Sequence, residues 1–186
     1  MAMDDILLDV EEKMEAAVEY FRTELRGIRT GRASSGLVEH IKVDYYGSPT
    51  DLRKLAAIST PDATLILIKP FDPGSLKDIE RAIQASDLGI TPNSDGKVIR
   101  LSVPPLSGER RRQLAAQLKK MAEGARVTIR NARREGNKTV EKEEKDSVLT
   151  EDEARKGKDD IQELTKQYEG KIGEILDAKV KEIEET

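Results

Sequence analysis

The chain has 186 residues, with 32 lysines and arginines against 36 acids, four tyrosines, two phenylalanines, no tryptophan and no cysteine. Absence of cysteine excludes disulfides and thiolate metal sites, and so few aromatics leave little for a base-stacking platform. A mean hydropathy of -0.60, and no apolar run near the roughly 20 residues of a membrane span, lead us to expect a cytoplasmic protein with no membrane partner.

The first element is an amphipathic helix. Apolar residues fall at Leu7, Val10, Met14, Ala17, Phe21, Leu25 and Ile28, three or four apart, and the pattern weakens across Gly27 to Gly31. The period then changes. Ile41, Val43 and Tyr45 alternate with polar residues, so a strand leading into a hairpin is expected there, turning at Gly47-Ser48-Pro49-Thr50. Thr64 to Ile68 reads as a buried strand, Leu76 to Ala85 as a short helix and Val98 to Val103 as a closing strand. Beyond Pro104-Pro105 a long helical pattern is expected over 107–145, with Ser107 as its N-cap and Leu114, Leu118, Met121, Ala125, Ile129, Ala132, Gly136 and Val140 on one stripe. Thr150-Glu151-Asp152-Glu153 is a capping box opening a third helix, with Ile161, Leu164, Tyr168, Ile172, Ile175, Lys179 and Ile183 facing one way.

These elements predict an α+β protein. Residues 1–30 and 105–186 form an elongated three-helix bundle, and residues 31–104 a small inserted β/α/β domain. The insertion makes two crossings, Arg29-Thr30-Gly31-Arg32 and Val103-Pro104-Pro105-Leu106. Glycine on one and proline on the other suit a hinge of limited swing, and suit two rigid corners equally well.

Charge is distributed unevenly. Residues 105–146 carry 12 basic and 7 acidic side chains, whereas 147–186 carry 7 basic and 12 acidic and 1–30 carry 4 and 8. Within the basic segment, Ala125 to Arg134 holds four arginines and no acid, and Arg126, Arg130 and Arg133 fall at i, i+4 and i+7 of one helix face. Glu123 and Glu135 bracket that row without neutralising it. Two readings fit: an anchor for a nucleic-acid backbone, since the guanidinium fork suits phosphate, or a solvated face balanced by intramolecular ion pairs.

Chemistry of other kinds is poorly represented. His40 is the one histidine, on the polar phase of the first expected strand and without partners for a metal set, and neither Gly31 to Gly36 nor Asp95-Gly96-Lys97-Val98 has the spacing of a phosphate loop. No nucleophile and base can be paired, so neither catalysis nor a cofactor is expected.

Seven segments in order carry a resemblance: Ile28-Arg29-Thr30-Gly31-Arg32-Ala33-Ser34, Asp44-Tyr45-Tyr46-Gly47, Ser86-Asp87-Leu88-Gly89, Pro92-Asn93-Ser94, Pro104-Pro105-Leu106, Glu109-Arg110-Arg111-Arg112 and Ala125 to Arg134. Together they resemble the bacterial ribosome recycling factor family over nearly the whole chain. The resemblance implies an L-shaped, monomeric, non-catalytic factor. Such a factor binds the ribosomal RNA of the large subunit after termination and works with elongation factor G and GTP to separate the subunits, freeing messenger and transfer RNA. By the same resemblance the principal RNA-contacting arginine is Arg133, with Arg134, Arg130 and Arg126 beside it and Arg110 and Arg111 in a second basic segment, and the hinges fall at 29–32 and 103–106. Gly136 departs from the better helix former expected there, which places the local rigidity of the helix in question. The heptad-like stripes alone would also permit a helical adaptor that binds only proteins.

Overall fold

The computed structural model describes residues 1–185. Along the chain the elements are α1 (Met3–Arg26), β1 (Lys42–Tyr45), β2 (Ser48–Asp51), α2 (Leu52–Leu55), β3 (Ala56–Asp62), β4 (Leu65–Pro70), α3 (Leu76–Ala85), β5 (Asn93–Ser94), β6 (Ile99–Ser102), α4 (Gly108–Lys145) and α5 (Glu151–Glu184). Two compact units result, one of Met1–Leu25 and Arg112–Glu182, the other of Arg26–Arg111 with the last residues from Ile183. The divisions thus fall a few residues outside the expected crossings, and 29–32 and 103–106 lie within the second unit.

The first unit is held by three apolar stripes. Ile6, Val10, Met14, Ala17, Val18, Phe21 and Leu25 line α1, and Leu114, Leu118, Ala122, Ile129, Ala132 and Val140 line α4. Ala154, Ile161, Tyr168, Ile172 and Leu176 complete the core from α5. Fully buried aliphatic side chains contribute about 1.5 to 3 kcal/mol each, which outweighs the roughly 1 kcal/mol that each interior glycine costs a helix.

The stripes are shifted in places from those expected. Ile6 is buried where Leu7 was expected, Ala122 where Met121 and Ala125 were, Leu176 where Ile175 was, and Thr165 where Leu164 was. A stripe edge at 3.6 residues per turn leaves adjacent positions nearly equivalent, and the second neighbouring helix decides between them. Burial of Thr165 is tolerated because its hydroxyl donates to the Ile161 carbonyl at 2.8 Å.

Gly136 has a packing reason. A Cβ there would overlap Val10 Cγ2 of α1 and stand 3.2 Å from Ile161 Cδ1 of α5, so both neighbours use the space a side chain would fill. The glycine therefore marks close helix contact, not a point of local weakness.

The helix ends follow local chemistry. At the start of α4 the Arg110 amide donates to Ser107 Oγ at 3.2 Å. At its end Val148 N donates to Glu143 O and Ser147 N to Glu144 O, a Schellman pair with Ser147 at φ 58°. The capping box closes in both directions, Thr150 N donating to Glu153 Oε2 at 2.8 Å and Glu153 N to Thr150 Oγ1 at 3.3 Å.

The second unit carries a four-stranded antiparallel sheet in the order β3-β4-β6-β5 and a separate β1-β2 hairpin. Ile68 pairs with Ile99 and Ile66 with Leu101, and all four point into a core closed by Ile79 and Ile83 of α3. Strands β3 and β5 were not expected. β3 (Ala-Ala-Ile-Ser-Thr-Pro-Asp) is a mostly exposed edge strand with an irregularity between Ser59 and Asp62, so it lacks the alternation that reveals a half-buried strand. The hairpin turn also differs from the one expected. It is the pair Tyr46-Gly47, both at positive φ (49° and 81°), while Ser48, Pro49 and Thr50 already belong to β2.

Candidate nucleic-acid interface

The arginine row lies on the middle of α4, a helix of 38 residues. Its four guanidiniums are not equivalent. Arg130 is half-buried, donating from Nε to Glu169 Oε1 of α5 at 2.9 Å and from Nη1 to Glu123 Oε1 at 3.0 Å. Glu169 first and Glu123 second hold its pKa above the ordinary arginine value, so it is a fixed cation. Arg126 lies 3.8 Å from the other oxygen of Glu123, and its Nη2 lies 3.7 Å from where a Cβ on Gly173 of α5 would stand.

The expectation that Glu123 leaves the row unneutralised is therefore corrected for Arg126 and Arg130. Glu169, 39 residues beyond Arg130, could not be found from spacing because only the fold brings α5 alongside.

The other half of the row differs. Among the described residues no carboxylate lies within salt-bridge distance of Arg133 or Arg134, and the nearest acid in sequence, Glu135, is held by Lys13 of α1 at 3.0 Å. Arg134 is exposed and leans on Asn131 Oδ1 at 3.4 Å, and Arg133 is half-buried. Val127, about two turns earlier on α4, remains 44% exposed. Intramolecular pairing thus accounts for two arginines and leaves two with unmet charge. Two guanidiniums in this state are suited to phosphate oxygens, each able to form a bidentate, charge-assisted bond.

The remaining candidate residues lie in the second unit. Arg110 is exposed and Arg111 half-buried in the first turn of α4. Gly31 adopts φ 81°, and Arg29 Nη2 donates to the Pro104 carbonyl at 3.3 Å, so the two crossing segments touch. The second is also tied to the β3–β4 turn by Val103 N donating to Thr64 O at 2.7 Å, and Ala33, just past the first, donates from its N to Ala63 O at 2.6 Å. His40 is exposed and precedes β1, not on a strand as expected, and among the described residues no cluster of metal-ligating side chains occurs. No helix is long and apolar enough to cross a membrane among those residues.

The model of the family described as "Ribosome recycling factor" matches residues 21–183. The chain belongs to the ribosome recycling factor family. A ribosome-recycling factor from Synechococcus sp. is 52% identical over 177 residues, covering 95% of this chain and 97% of the relative. Those from Oleidesulfovibrio alaskensis and Geobacillus kaustophilus are each 49% identical, over 98% and 97% of this chain and 100% and 97% of their own lengths. Among solved structures, the solution structure of a ribosome recycling factor superposes with a TM-score of 0.82 at 41% identity, covering 99% of this chain and 98% of that one. Another, at 35% identity and a TM-score of 0.71, covers 98% and 99% of the two chains; it is described as the T. thermophilus factor and E. coli elongation factor G bound to the E. coli post-termination complex.

Proposed function

We propose that this protein recycles ribosomes: after termination it binds the large ribosomal subunit and, with elongation factor G and GTP, promotes dissociation into subunits with release of mRNA and tRNA. The work would come from the GTPase partner, in the cytoplasm, and this chain would supply an anchor and a lever without catalysing a reaction. Family membership over nearly the full length supports the reading, as does the relative that is described on a post-termination complex with elongation factor G.

The observation that carries the anchor is the unmet charge of Arg133 and Arg134 on a helix whose other two arginines are already paired. In this reading Arg133 and Arg134 bind ribosomal RNA phosphate, Arg126 and Arg130 shape the positive surface beside them, and Arg110 and Arg111 add contacts near the start of α4. Segments 29–32 and 103–106 serve as the hinge, with Gly31 supplying a backbone state few residues adopt and Arg29 bridging the two strands of chain.

Sedimentation with purified large subunits over a salt series tests the anchor. Arg133→Ala should weaken binding by about 1 to 3 kcal/mol and lower the slope of log affinity against log salt by about one. Equal binding by the two proteins would overturn the assignment, and failure of the wild-type chain to split post-termination complexes with elongation factor G and GTP would overturn the function.

A further inference from the structure

We infer that Asn137 is a positioning residue for Arg133: on the ribosome its side-chain oxygen accepts one guanidinium N–H of Arg133 while the remaining donors face phosphate. The inference rests on the proposed anchor and adds a residue to it.

Asn137 lies one turn beyond Arg133 on the same face of α4, and helical side chains lean toward the N-terminus, so its amide overhangs the turn that carries Arg133. Its Oδ1 is buried and accepts no hydrogen bond. A buried acceptor without a donor is costly, so one that persists calls for an explanation, and a donor that reaches it in the bound state supplies one. On α5, Lys158 is committed to Glu141 at 3.0 Å and Lys166 to Glu163 at 3.1 Å, whereas Arg133 has no carboxylate within salt-bridge distance among the described residues. Guanidinium has five N–H donors in one plane and phosphate takes two at a time, so donors remain for an amide. A precedent lies one residue away, where Arg134 already rests on the amide oxygen of Asn131 at 3.4 Å. The amide suits this task better than a carboxylate, because it orients a cation without cancelling the charge that attracts phosphate.

A double-mutant cycle decides it. Large-subunit binding is measured over a salt series for the wild-type chain, Asn137→Leu, Arg133→Ala and the double variant, with Asn137→Ala as a second replacement and helix content checked by circular dichroism. Asn137→Leu should weaken binding about 2- to 10-fold, the range one hydrogen bond supplies, without changing the salt slope, since no charge is removed. In the Arg133→Ala background it should weaken binding no further. An equal loss in both backgrounds, or no loss in either, overturns the inference while leaving the anchor standing if Arg133→Ala still weakens binding. No effect of Arg133→Ala itself removes the anchor and this inference with it.

Discussion

Gly136 of α4 lies so close to Val10 of α1 that a methyl group at position 136 would overlap the valine Cγ2. Gly136→Ala gains about 1 kcal/mol of helix propensity, but it forces apart a β-branched side chain with a single preferred rotamer in mid-helix. Overpacking dominates, and the variant should be destabilised by about 1 to 2 kcal/mol. Gly170 of α5 has open space where its Cβ would lie, so Gly170→Ala should instead stabilise by about 0.5 to 1 kcal/mol. Urea unfolding followed at 222 nm would show midpoints moving in opposite directions for the two variants, and a shared direction would refute the packing account.

Among the described residues, two other than glycine sit in the left-handed region, Ser147 at the end of α4 and Tyr46 in the β1-β2 turn. Such a conformation costs an L-residue about 1 to 2 kcal/mol. Ser147→Gly should therefore raise stability by about 1 kcal/mol through the Schellman motif. Tyr46→Asn should do the same for the hairpin, because Tyr46 is 87% exposed and Asn-Gly suits this turn. Thermal melts that leave both midpoints unchanged would contradict this.

The Thr150 backbone N–H, followed by its hydroxyl, lowers the pKa of Glu153 below the ordinary value of 4.5. Backbone N–H groups of Val98 and Lys97 do the same for Asp95, and Lys42 is the main cause of the lowered value at Asp51. Each carboxylate is depressed in the folded state, so its contribution is fully present above the ordinary carboxylate range and is lost as pH falls through the lowered value. Glu153→Gln should therefore lower stability at neutral pH, flatten the acid limb below pH 4.5 and converge with the wild-type chain at low pH. Titration curves of equal steepness for the two proteins would show that the capping carboxylate is uninvolved.

Glu123 neutralises Arg126 and Arg130 together, at 3.8 and 3.0 Å. Glu123→Gln removes that counter-ion from an exposed position, where ion pairs add only about 0 to 1 kcal/mol to stability. The fold should persist, and attraction to large subunits should increase at low salt with a steeper salt dependence. Glu135→Gln, which leaves Lys13 of α1 paired with Asp9 alone, should steepen it less if the RNA surface is centred on Arg133 and Arg134. A larger effect from Glu135→Gln would move that centre toward α1.

Periodicity alone was sufficient to reveal the three long helices, because each buries one stripe and the 3.6-residue spacing survives over ten turns of α4. Ser107 and the Thr150-Glu153 box marked helix starts for an equally local reason: the groups that satisfy the first amides are within three residues of them. The basic run was also visible in one dimension. Its internal division was not, since the acid that holds Arg130 is on another helix, and the acid beside Arg134 is diverted to Lys13 by α1. The edge strand β3 and the stripe shifts at Thr165 and Ala122 have the same cause. Which face is covered depends on what packs there, so tertiary structure alone separated the paired arginines from the two with charge to offer.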